Sequence, residues 1–174
     1  MGKRSMMWIL WIVGGLVGLV AVVALVGMML PQNHTASRTL RLKQPPEAVW
    51  KTITDYGTMP QWRSELKKIE RMPDANGHEV WKEYNSAGEM PLETIEADAP
   101  RRLVRKIGAG LPFGGGWVYE LTPDGAGTQL KITENGEVYN PIFRVVGKFM
   151  DQTASMTTFL TGLAKKFGED PAFL

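Results

Sequence analysis

The residues able to do acid–base chemistry are few in this chain, and they are spread thinly. Glu93, Glu96, Glu120 and Glu134 lie in segments that alternate like strands. An inward-facing carboxyl among them could act as a general acid or base if burial raised its pKa. Glu134 is in phase with Leu130 and Ile132, and Glu96 with Leu92, yet a solvated place at a strand end explains each as simply. The two histidines are His34, in a polar connector, and His78, beside a turn, and the chain has no cysteine. A zinc site or a nucleophile–base pair therefore lacks its parts. No catalytic residue, metal ligand or cofactor is assigned, and the residues weigh against an enzyme. The run Gly108-Ala109-Gly110-Leu111-Pro112-Phe113-Gly114-Gly115-Gly116 is rich in glycine, but it lacks the spacing and the strand-to-helix setting of a phosphate loop.

Apolar recognition has more to work with. Trp62, Trp81, Tyr84, Met90, Trp117, Tyr119, Phe143, Met150 and Met156 are candidates for lining a hydrophobic cavity, since aromatic and methionine side chains adapt to irregular apolar shapes. Ordinary core packing is the competing reading for each of them. Leu111 and Phe113, in the glycine-rich run, are candidates for the cavity mouth. Thr153, Ser155 and Thr157 could orient a polar head group. Trp50 and Ile53 read as plain core. Arg101-Arg102 with Arg105 and Lys106 reads as a solvated charge run, with contact to anionic lipid heads as the alternative.

These residues need elements to hold them, and the chain divides sharply. From Met7 to Leu30 there are 24 residues without a charge, a proline or an amide side chain. At about 1.5 Å per residue such a helix exceeds the roughly 30 Å of a hydrocarbon core. Its length and its bulky end, Val26-Gly27-Met28-Met29-Leu30, favour an uncleaved anchor over a signal peptide. Residues 1–30 are therefore read as a transmembrane anchor and 31–35 as a linker. Lys3 and Arg4 favour a cytoplasmic N-terminus, nearly balanced by Arg38, Arg41 and Lys43 beyond the helix. Because a long domain can be translocated whatever its charge, the expectation is a single-pass membrane protein whose domain lies outside the cytoplasm. Of the 20 basic residues only Lys3 and Arg4 lie in this segment, so the remainder carries 18 basic and 18 acidic side chains. That balance argues against nucleic acid as a partner.

After the linker, Ala36 to Lys43 alternates with period two and predicts a strand. Pro45-Pro46 starts a short helix, and Met59-Pro60-Gln61-Trp62 opens a second. Six strand-like segments follow between residues 67 and 139, spaced about ten residues apart by turn signals. Asn140-Pro141 then starts an amphipathic helix of about 26 residues. The fold class is α+β: a curved seven-stranded antiparallel sheet in the order β-α-α-β6-α, wrapped on a long C-terminal helix. A sheet so curved seldom closes at its centre, so a cavity between helix and sheet is expected.

Several strings resemble the START-like superfamily, also called SRPBCC or helix-grip, and above all its polyketide cyclase/dehydrase branch. They are Pro46-Glu47-Ala48-Val49-Trp50 with Asp55, Pro60-Gln61-Trp62-Arg63, Met90-Pro91-Leu92-Glu93, Pro100-Arg101-Arg102-Leu103 and Leu111-Pro112-Phe113-Gly114-Gly115. Gly127-Thr128 and Gly136-Glu137-Val138-Tyr139-Asn140-Pro141 complete the set. The resemblance spans a domain at about 36–168, leaving 169–174 as a tail. It implies the helix-grip fold and a cavity for a lipid, sterol, polyketide or other hydrophobic molecule. Three functions are compatible: a membrane-anchored binding domain, a cyclase or dehydrase on a polyketide-like substrate, and an interaction domain with a filled cavity. The first is the primary expectation.

Overall fold

The computed structural model describes residues 3–86 and 88–174, with side chains from residue 7 onward. The side chains of Lys3 and Arg4 lie outside the described residues, as does Ala87, whose neighbours Ser86 and Gly88 are one of the turn signals between strand-like segments. Helix α1 (Lys3–Met29) is one continuous helix. Its segment Met7–Met29 has a mean hydropathy of 2.8 and is long and apolar enough to cross a bilayer, and its last turn, at Gly27, is buried against Pro141. Strand β1 (Asn33–Leu42) starts three residues earlier than the alternation suggests, taking His34 into the sheet. Helix α2 (Pro46–Thr54) begins on Pro46, whose missing N–H and fixed φ suit a first turn, and buries Val49 and Ile53. A 3-10 helix (Tyr56–Gln61) buries Tyr56 and Met59.

The six following strands are β2 (Leu66–Ala75), β3 (His78–Asn85), β4 (Gly88–Asp98), β5 (Arg102–Ile107), β6 (Phe113–Asp124) and β7 (Gly127–Val138). The sheet runs β2-β3-β4-β5-β6-β7-β1-β8 among the described residues, antiparallel throughout. The eighth strand, β8 (Ala172–Phe173), arises from the stretch read as a tail. It pairs with Leu40 and Arg41, and the Glu169 carboxylate pins its approach by accepting from the Lys43 backbone N–H at 2.9 Å. Part of the glycine-rich run is strand and not loop: Phe113 to Gly116 belong to β6, paired with β7. Gly115 has φ +99°, and a Cβ there would overlap the Asn135 carbonyl, so the tight coiling at this point requires glycine.

The C-terminal helix differs most from the sequence reading. It is broken into α3 (Pro141–Gly147) and α4 (Ala154–Lys166). After Gly147 the backbone bonds tighten to i→i+3, from Lys148 to Val145 and from Phe149 to Val146. The Asp151 carboxylate then accepts from both the Thr153 N–H (2.8 Å) and the Thr153 hydroxyl (2.7 Å), offering the backbone a turn instead of a continued helix. Helical periodicity runs through this break and hides it. Of these two helices α4 is the one that enters the core under the sheet, and Leu160, Leu163 and Ala164 are fully buried there with Leu40, Val49 and Leu130.

Candidate functional site

Strand alternation decides which side chains reach the space beneath α4. On β3 the inward set is Trp81, Glu83 and Asn85; on β5 it is Leu103, Arg105 and Ile107; on β7 it is Leu130, Ile132 and Glu134. At the C-terminal half of α4 these positions are leucines and close up. At its N-terminal half they leave a cavity of about 120 Å³. Met90, Leu92, Trp117, Ile132, Met156 and Phe159 form its apolar wall, while Arg63, Glu65, Glu83, Asn85, Tyr119 and Ser155 supply polar groups.

The floor is ionic. Glu83 and Arg105 are 1% and 2% exposed. One Glu83 oxygen accepts from Arg105 Nη1 at 2.9 Å, and the other pairs with Arg63 Nη1 at 3.0 Å. Arg63 Nε donates to Glu65 at 2.8 Å. Each guanidinium also lies over a ring: Arg105 over Tyr56 at 4.3 Å and Arg63 over Phe159 at 5.2 Å. Burial alone would push the Glu83 carboxyl up, but the charges and hydrogen bonds of Arg63 and Arg105 outweigh it and hold it below the usual carboxylate range. Burial likewise opposes the charge on Arg63, and Glu83 and Glu65 reverse that, raising it. Burial pushes the Tyr119 phenol up to about 12, against the opposing pull of the two arginines. Tyr119 is therefore a neutral hydroxyl at physiological pH, able to donate or accept in the cavity. Arg105 Nε and Nη2 and one Glu65 oxygen are buried without a hydrogen-bond partner.

A second polar cluster borders the first. Glu134 faces inward, accepting from Trp117 Nε1 at 2.9 Å and from the Ser155 hydroxyl at 3.0 Å, with His34 Nε2 at 3.3 Å from its other oxygen. Three partners from β6, α4 and β1 thus meet on one carboxylate. The other three glutamates face outward: Glu96 and Glu120 flank Arg102, and Glu93 lies opposite Lys106.

Of the aromatic and methionine candidates, Met90, Trp117, Tyr119 and Met156 line this cavity together. Trp62 packs edge-on against Phe159 at 5.3 Å, and Trp81 sits against Tyr56 at 5.4 Å, beside the cavity but not on its wall. Tyr84 is on the opposite face of the sheet, between Lys68 and Lys82, and donates to Glu70. Phe143 and Met150 are 57% and 65% exposed, because the break in the last helix carries them off the sheet. Leu111 and Phe113 border a separate hollow, shared with Glu93, Lys106 and Tyr139. Arg105, read with its basic neighbours as a solvated run, is buried. The signal was present: it is in phase with Leu103 and Ile107, as Glu83 is with Trp81. Among the described residues no group of three His, Cys, Asp or Glu side chains could hold a metal ion.

A domain of this order and cavity has a recorded relative family. The family described as "Polyketide cyclase / dehydrase and lipid transport" matches residues 33–168. The chain belongs to that family. Among solved structures, this polyketide cyclase/dehydrase-type domain is similar to norcoclaurine synthase from Thalictrum flavum in complex with dopamine and hydroxybenzaldehyde. The TM-score is 0.63 at 12% identity, over 82% of this chain and 90% of that one. It is also similar to a conserved protein from Geobacillus kaustophilus, at TM-score 0.63 and 18% identity over 80% and 99% of the two chains. A START superfamily protein from Mycobacterium smegmatis gives 0.59 at 14% identity, over 76% and 96%. No curated protein matches the sequence. At these identities the structures speak for the helix-grip fold alone.

Proposed function

We propose that the protein is a membrane-anchored binding domain whose guest is a compact hydrophobic molecule seated between the sheet and α4. The carrying observation is the cavity itself: apolar walls over an ionic, hydrogen-bonding floor beneath the N-terminal half of α4. Apolar pockets with a few convergent polar groups are the usual form of a small-molecule site. A dry cavity of about 150 Å³ in another protein holds benzene, so about 120 Å³ suits one ring or the end of a chain. A larger guest leaves its remainder at the mouth. Helix α1 would keep this site at a bilayer, raising its effective concentration there, on the side outside the cytoplasm if the long domain that follows is translocated.

Catalysis has weaker support. Glu134 is held by Trp117, Ser155 and His34, which suits positioning better than proton exchange. The test is native mass spectrometry of the full chain released from detergent, followed by extraction of any adduct. The expected result is a reproducible small-molecule adduct that disappears in Met156→Trp, where the indole fills the space. A clean mass, with no uptake from a total lipid extract or a panel of single-ring aromatics, would overturn the reading and favour a filled interaction domain.

A further inference from the structure

Outside α1, seven large hydrophobic side chains among the described residues are exposed, and five of them, Tyr139, Phe143, Val146, Phe149 and Met150, fall within one short stretch covering α3 and its flanks. Phe143, Val146 and Met150 follow at steps of three and four. Phe149 is 88% exposed. Patches of this kind on a folded domain mark a surface that something covers.

What covers it follows from where α3 is fixed. Gly27, in the last turn of α1, is buried against Pro141, and a Cβ there would overlap the Pro141 carbonyl. Arg144 completes the joint: its guanidinium donates to the carbonyls of Val138 (2.8 Å) and Tyr139 (2.9 Å) and reaches Gln32 Oε1 at 3.4 Å, just past the end of α1. The apolar face of α3 is thus continuous with the end of the apolar helix. Lys148 extends the cationic flank, where a long side chain can reach lipid phosphates.

We propose that α3 and the turn Lys148–Met150 lie in the headgroup layer of the same bilayer that α1 crosses. The apolar side chains then sit about 5–10 Å into the interface, as those of interfacial helices do. This rests on the reading of α1 as a membrane anchor. Because every strand pair is antiparallel, the sheet end where β1 begins also holds the ends of β3, β5 and β7 and the starts of β4 and β6. Asn85, Met90, Leu111 and Trp117 belong to that end, so the cavity would face the lipid surface.

The chain has no cysteine, so single spin labels can be placed without other changes. Full-length Phe149→Cys, Met150→Cys, Leu16→Cys and Lys131→Cys would each be labelled in nanodiscs of phosphatidylcholine and phosphatidylglycerol. Oxygen and a water-soluble nickel chelate then report depth. Labels at 149 and 150 should lose nickel accessibility relative to 131 and gain oxygen, at a depth shallower than 16. Water-like values at both 149 and 150, with 16 deep in lipid, would overturn the docking and leave the anchor standing. Shielding of 149 and 150 from both reagents would also overturn it, in favour of a protein partner or a second copy. A water-like label at 16 would remove the anchor and this proposal together.

Discussion

The two ends of α4 solve the same packing problem in opposite ways. At the C-terminal end, Leu160, Leu163 and Ala164 have no exposed surface and meet Leu40, Val49, Ile53 and Leu130. At the N-terminal end, Ser155, Met156 and Phe159 look onto a cavity whose floor holds Arg63 and Glu83, with Arg105 paired to Glu83 beneath. Both ends share one helix and one sheet, so the difference lies in a handful of inward positions. Moving a charge out of water costs several kcal/mol even after relaxation, and a well-packed apolar replacement of a buried ion cluster is often neutral or stabilising. The leucine end is therefore where stability resides. The ionic end carries a cost that packing alone does not explain, which is what a binding site requires.

The sharpest break of this comparison is Glu83→Gln. It leaves two guanidiniums facing each other without their shared counter-charge, and removing one partner of a buried pair costs about 3–5 kcal/mol. Denaturant unfolding should show a loss of that size. The combined replacement Arg63→Met, Glu83→Leu and Arg105→Met should regain most of the stability while failing to bind the guest. Recovery of stability together with binding would make the ionic floor merely structural. At the other end, Leu160→Ala should cost about 2–5 kcal/mol through lost burial and a new cavity, with guest affinity little changed.

pH separates the ends without a large structural change. The folded pKa of Glu83 is depressed, so the unfolded chain binds more protons as acid is added. Its contribution is full above the unfolded value of about 4.3 and is lost as pH falls through the lower folded value. Tyr119 acts in the opposite direction. With a folded pKa of about 12, against about 10 when unfolded, its contribution is lost as pH climbs between those values. Melting temperature against pH should show both flanks in the native chain and in Leu160→Ala, and a shallower acid flank in Glu83→Gln.

How much of this was legible in the sequence follows the same divide. Strand alternation and turn residues place every strand from β1 to β7, and Asn140-Pro141 places the start of the last helix. The leucine end follows from those patterns. The ionic end was written in the same period-two code, but hydrophobic patterning treats a charge as an outward sign, so Arg105 read as solvent and Glu83 was passed over. The break at Gly147–Thr153 was hidden because apolar residues keep helical spacing through it. The i→i+3 backbone bonds after Gly147 and the bonds of Thr153 to Asp151 show that the backbone turns. That turn accounts for Phe143 and Met150, which a single long helix would carry over the cavity.

The smallest predicted effect uses two arginines of one strand. Arg102 and Arg105 lie three apart on β5 and so point to opposite faces. Arg102 is half exposed and meets Glu96 at 3.1 Å and Glu120 at 3.4 Å, in high dielectric and screened by salt. Exposed pairs of this kind are worth about 0–1 kcal/mol. Arg105 is buried, with one carboxylate and one aromatic ring beside it. Arg102→Ala should therefore shift the unfolding midpoint barely at all, and less still in high salt, whereas Arg105→Ala should approach the loss of Glu83→Gln, because it strands a carboxylate in the interior with Arg63 as its one remaining guanidinium. If the two alanine variants unfold alike, the buried pair is wet in solution, and the distinction between the two ends of α4 fails at its ionic floor.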